Sequence, residues 1–98
     1  MDVEIIWSPQ AEVSFGAIAD DIADRYPEPF VQEFFQRFNK AISQISRFPT
    51  AFPSLPKYPE IRRCVIRPNV NIFFQIVPRN TVEIISVSQN RKGWGWRN

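Results

Sequence analysis

The spacing of apolar residues changes once along this chain, close to residue 60, and that change limits what the chain can fold into. Before it, Ala11, Phe15, Ile18 and Ile22 recur at intervals of 4, 3 and 4 residues, and Val31, Phe34, Phe35, Phe38, Ile42 and Ile45 repeat the stripe. An α-helix turns once every 3.6 residues, so each set falls on one helix face. Glu12, Asp20, Asp21 and Asp24 lie largely off the first stripe. After residue 60 the spacing becomes two, which places alternate side chains on opposite faces of a strand. Strands are predicted over 61–67, 70–77 and 81–89, separated by Pro68-Asn69 and Pro78-Arg79-Asn80. Turns this short join only antiparallel neighbours.

Local signals fix the remaining boundaries. The run 3–7 is short and β-branched, as expected of a first strand. Ser8-Pro9 then opens a helix: serine accepts a bond from a free backbone N–H, and proline at the first helical position loses nothing by lacking its own. Tyr26-Pro27-Glu28-Pro29 ends that helix and starts the next, which closes at Phe48-Pro49. Pro49, Pro53, Pro56 and Pro59 leave 49–60 as an irregular connection. The expected architecture is α+β, in the order β-α-α-β-β-β, with a helical hairpin packed on one face of a small, mainly antiparallel sheet. A chain of 98 residues buries only about 65% of its unfolded surface, enough for a single domain over 1–98 and not for two.

Composition narrows the chemistry. The sequence has no histidine, so histidine acid/base work, the usual serine and cysteine triads and histidine metal sites are excluded. Cys64 is the one cysteine and makes neither an internal disulfide nor a multi-thiolate metal site. Gly16, Gly93 and Gly95 are too scattered for a phosphate-binding loop. No cofactor and no metal site is expected. The formal charge of +2 divides unevenly: up to Glu60, five basic residues face nine acidic ones, a balance of −4, whereas from Ile61 seven basic residues face Glu83 alone, a balance of +6. Such asymmetry suits a basic surface for an anionic partner, although two halves of one domain can also simply differ. No run approaches the 18 or so apolar residues of a membrane span, and Met1-Asp2-Val3-Glu4 lacks the basic-then-apolar pattern of a secretion signal. A cytoplasmic location and no membrane partner are therefore expected, in keeping with a lone thiol.

Several segments together resemble the RelE/ParE superfamily of bacterial type II toxin–antitoxin systems, in particular ParE-like members labelled plasmid stabilisation proteins. Ile5-Ile6-Trp7-Ser8-Pro9-Gln10-Ala11 is similar to the family's first strand running into a helix. Ile42-Ser43-Gln44-Ile45-Ser46-Arg47-Phe48-Pro49 resembles its second helix closing on Phe-Pro. Ile61-Arg62-Arg63-Cys64-Val65-Ile66, Ile72-Phe73-Phe74-Gln75-Ile76 and Val82-Glu83-Ile84-Ile85-Ser86-Val87 are similar to its arginine-bearing strand and the two after it. Gln89-Asn90-Arg91-Lys92 resembles the polar ending of one ParE-like branch.

The resemblance implies a toxin held inactive by a cognate antitoxin, encoded beside it, whose acidic-apolar C-terminal segment orders on binding. It is compatible with a dimer or a heterotetramer with that antitoxin. Two activities occur in the superfamily. RelE-type members are ribosome-dependent endoribonucleases that use lysine and arginine on messenger RNA with a further acid/base or stacking group near the C-terminus. The matching positions here are Lys57, Arg62, Arg63, Arg91 and Lys92, but Gln89 stands where many relatives have histidine, and Tyr26 and Tyr58 both lie far from the end. ParE-type members inhibit DNA gyrase, and the missing acid/base group favours that activity. A toxin-derived domain that only docks a protein partner is the third reading.

Candidate residues for antitoxin or target binding are Arg62, Arg63, Arg67, Phe73, Arg91, Lys92, Trp94 and Trp96. Each has a structural alternative. Arg62 and Arg63 point to opposite sides of their strand, and Arg62 can equally be held by a carboxylate or by loop carbonyls. Of Phe73 and Phe74, one should enter the core and the other lie on the open face. Asp20, Asp21 and Asp24 read as a solvated helix face, and Cys64 as a small core residue. Phe34, Phe35 and Phe38 fit a core or a self-association surface. Trp94 and Trp96, among Arg91, Lys92 and Arg97, have the make-up of a base-stacking, phosphate-binding segment, or of a tryptophan packed on the sheet edge beside a loose terminus.

Overall fold

A computed structural model describes residues 3–67 and 69–90. The elements follow the expected order: β1 (Glu4–Trp7), α1 (Pro9–Arg25), α2 (Glu28–Arg47), a 3-10 turn at Pro49–Ala51, β2 (Arg62–Ile66), β3 (Val70–Val77) and β4 (Thr81–Gln89). They form one four-stranded sheet in the order β1-β4-β3-β2, covered on one face by the two helices. The β2–β3 and β3–β4 pairs are antiparallel hairpins, while β1 lies parallel to β4 with Glu4 opposite Thr81 and Trp7 opposite Ile84. The sheet is thus mixed, because only a long crossover returns a chain parallel to itself, and the rest of the molecule is that crossover.

Ser8 anchors the start of α1. Its Oγ accepts from the N–H of Ala11 at 3.0 Å and donates to the carbonyl of Ile85 at 2.8 Å, and its own N–H donates to the carbonyl of Ile84 at 3.0 Å. Further along α1 the Oγ of Ser14 accepts from the N–H of Val87 at 3.1 Å. These bonds meet the sheet at a β-bulge, where Phe73 pairs with Ser86 and the next residue, Phe74, pairs with Ile84. The extra residue breaks the ladder, and the two α1 serines bond to the groups around it. At the far end of the hairpin, Val3 donates to the carbonyl of Ser46 at 3.0 Å and accepts from its Oγ at 2.7 Å. The end of α2 is thereby tied to the start of β1.

The core is a row of β-sheet residues under an aromatic layer. Phe74, Ile72, Ile84, Val82, Val70 and Ile45 are fully buried. Above them Phe15 and Phe38 stack at 4.4 Å, with Trp7 5.7 Å from Phe15. Phe38 is buried and Phe34 and Phe35 pack half-buried against the same cluster, so all three belong to the core side of α2. The β3–β4 turn takes positive φ at Arg79 (69°) and Asn80 (58°), a conformation asparagine tolerates better than most residues.

Candidate functional site

Strand β2 sorts the two neighbouring arginines. Cys64 and Ile66 are buried under the helices, so Arg62, two residues earlier, is on the same side, in line with Phe74, Ile84 and Trp7 across the sheet. Its guanidinium turns to the 49–61 connection and donates from Nη1 to the carbonyls of Phe52 at 2.7 Å and Thr50 at 3.4 Å. Phe52 in turn sets its ring edge-on to Phe74 at 5.6 Å. Of the alternatives left open for Arg62, loop carbonyls are its partners.

The same connection covers the outer edge of β2. Arg63 donates its N–H to the carbonyl of Pro53 at 3.0 Å, and Leu55 donates to Ile61 at 2.9 Å. Lys57 is exposed in the following turn. The residues that a nuclease reading would gather are therefore spread over a loop, the core side and the open side. Arg91 and Lys92, and with them Trp94 and Trp96, lie outside the described residues.

Arg63 occupies the sheet face turned away from the helices. Next to it on β2 is Val65, 55% exposed, and across the ladder is Phe73, half-buried, with Ser86 beyond. Phe74 takes the core position, so the two phenylalanines divide as expected. The β1 half of this face differs in character: Glu83 accepts from Gln75 at 2.8 Å, and Ile6 and Glu4 are exposed beyond it. This face carries one described strand arginine, in a basic-apolar strip at its β2 end. Arg67 sits at the β2–β3 turn, exposed and without an ion pair among the described residues.

Arg67 also lines a cleft of about 440 Å³ that the sequence did not reveal, between the α1–α2 corner and the β2–β3 turn. Ile22, Tyr26, Phe30, Phe34 and Val70 supply its apolar walls. Asn69 also lines it, 7% exposed, and its enclosed Nδ2 has no hydrogen-bond partner among the described residues. The available signal was Phe30, an aromatic in the first turn of α2 beside a Tyr-Pro break. Asn69, read as a turn residue, gave none.

Arg25 pairs with Asp21 at 2.8 Å, and that hydrogen bond, with the carboxylate charge, raises the guanidinium pKa. Asp20 and Asp24 are exposed, and among the described residues no group of three or more His, Cys, Asp or Glu side chains is placed to hold a metal ion. Burial pushes the Cys64 thiol above its ordinary pKa. Among the described residues no helix is long and apolar enough to cross a membrane.

Comparison with known proteins supplies the family. The fold superposes on the chromosomal ParDE toxin–antitoxin system of P. aeruginosa with a TM-score of 0.71 at 13% identity, covering 89% of this chain and 95% of that one. The RelBE2 toxin–antitoxin complex of Mycobacterium tuberculosis gives 0.59 at 14% identity, with coverages of 92% and 100%. A conserved hypothetical protein of Helicobacter pylori gives 0.57 at 13%, with 90% and 94%. At such identities these likenesses establish the fold. No curated protein matches the chain. The family model described as the ParE toxin of the type II toxin–antitoxin system parDE matches residues 5–94. The chain therefore belongs to the ParE toxin family of type II toxin–antitoxin systems.

Proposed function

We propose that this protein is a toxin neutralised by a cognate antitoxin and that it acts on DNA gyrase, not as a ribosome-dependent ribonuclease. The observation that carries the choice of target is the state of Arg62. A general acid/base mechanism on RNA needs cations free to meet a phosphate and a group that exchanges protons near neutral pH. Arg62 is committed to backbone carbonyls of its own loop, and the 98 residues contain no histidine. Purified protein should inhibit gyrase supercoiling of relaxed plasmid and leave messenger RNA intact in a translation extract. Cleavage of the message with supercoiling unaffected overturns the proposal.

The antitoxin reading draws on family membership and on the strip formed by Arg63, Val65 and Phe73. An acidic-apolar segment complements it in both respects, with charge setting the salt dependence. Arg63→Glu should weaken capture of the antitoxin on the order of tenfold at low salt, and less as salt is raised. Affinity equal to that of the parent protein rules out this face.

A further inference from the structure

The cleft between the α1–α2 corner and the β2–β3 turn has walls and polar groups that do not match a water-filled surface depression. Phe30 is 59% exposed and Tyr26 38% exposed at its mouth, with ring centroids 6.3 Å apart. Large aromatic groups left to solvent beside a preformed recess are the usual mark of a docking site. Two donors stand out at the cleft, the Asn69 amide and the Arg67 guanidinium, beside Glu33, Tyr26 and Gln89, which also carry acceptors. Asn69 Nδ2 is enclosed without an acceptor among the described residues, an unfavourable condition that native proteins seldom leave uncorrected. Arg67 carries an unneutralised charge among the described residues, whereas Arg37 is already paired with Glu33. What complements this lining is an apolar group flanked by an acceptor or a negative charge. A bare anion would leave the aromatic walls wet, and a basic residue would oppose Arg67.

We propose that the cleft receives an aromatic or large aliphatic side chain from the acidic-apolar segment of the antitoxin, with a neighbouring carboxylate or backbone carbonyl accepting from Asn69 Nδ2 and Arg67. This rests on the antitoxin reading above and deepens it by assigning a specific subsite. The cleft opens on the helix side of the β2–β3 turn, and Val65 and Arg63 lie on the opposite face of the strand that enters that turn. One segment that engages both sites passes around this end of the sheet, so the two sites contribute jointly to affinity.

The test uses the full chain, labelled with 15N, and 3-phenylpropionate as probe, with 3-phenylpropanamide and propionate as controls. Saturable shifts are expected at the Asn69 side-chain amide and at the backbone amides of Val70 and Gln89. The carboxylate should bind about threefold or more tighter than the amide, and propionate about tenfold or more weaker than 3-phenylpropionate. Arg67→Glu should remove the preference for the carboxylate over the amide. The absence of saturable shifts at these signals, or a carboxylate preference that survives Arg67→Glu, overturns the assignment. So does a full-chain Trp94→Ala, Trp96→Ala variant whose cleft signals move without any probe, since the chain's own segment 91–98 would then be the occupant. In a competition step, the product of the adjacent reading frame should displace the probe. Binding of that product without displacement overturns the cleft assignment alone. A probe-binding cleft in a protein that captures no antitoxin overturns the occupant and the toxin reading together.

Discussion

Ser8 serves two partners with one hydroxyl, accepting from the helix it caps and donating to Ile85 in the sheet. Removing it strips an N-cap and leaves a part-buried carbonyl without that donor, so Ser8→Ala should lower stability by about 1–2 kcal/mol. In a calorimetric scan that corresponds to a Tm lower by several degrees for a chain of this size; an unchanged Tm would show the hydroxyl to be redundant. The cap was legible from Ser8-Pro9, because capping is local chemistry. The bond to Ile85 was not, because its partner lies 77 residues away along the chain. Cys64 was legible as a core residue for the opposite reason, since alternation in a strand reports which side chains are inward. Its thiol pKa is raised by burial. Attack by thiolate on a disulfide reagent should therefore be at least about tenfold slower in the native chain than after denaturation. Equal rates would contradict its placement. The linkage runs the same way: above the ordinary thiol pKa of about 8.5 the unfolded chain ionises first, so this group's contribution to stability falls as pH rises.

At the level of elements, the bulge in β4 and the clamp on the 49–61 connection hold the fold's two irregular segments in place. Uninterrupted alternation is the simplest reading of 81–89, yet the buried positions run Val82, Ile84 and then Val87. That change of parity is written in the sequence, but an exposed-to-buried shift becomes meaningful only when the partner strand is known. Ser14→Ala should cost about 1–3 kcal/mol, the penalty for a buried N–H, here of Val87, left without an acceptor. Chemical denaturation reads it directly, and a loss below about 0.5 kcal/mol would mean that the bulge does not depend on the helix. Arg62 is the corresponding clamp on the connection. Arg62→Ala should raise hydrogen exchange at the Leu55 and Arg63 amides, which bond to Ile61 and Pro53, by about tenfold or more while β3 and β4 keep their protection. Uniform loss of protection would show instead that Arg62 supports the whole sheet. The proline-rich composition of 49–60 foretold irregularity, and only the fold shows the segment bonded along the edge of β2.

For the molecule as a whole, the division of charge between the two halves is more informative than the net value, but it locates a partner less sharply than the count suggests. Of the seven basic residues after Ile61, Arg62 is committed to its loop and Arg79 lies in the β3–β4 turn, and three fall outside the described residues. Arg63 and Arg67 remain, at the one end of the sheet where the open face and the cleft come within a single turn of each other. The order of elements was legible because periodicity and short turns are local properties. The parallel pairing of β1 with β4 and the cleft were not, because each is made by segments distant along the chain. The central claim is that this ParE-family protein is a toxin restrained by an antitoxin. The most direct measurement is growth of bacteria on induction of this chain alone and together with the adjacent reading frame. Arrest by the folded protein alone, relieved by co-expression, is the predicted result; unimpaired growth with soluble, folded protein at comparable levels would contradict the account.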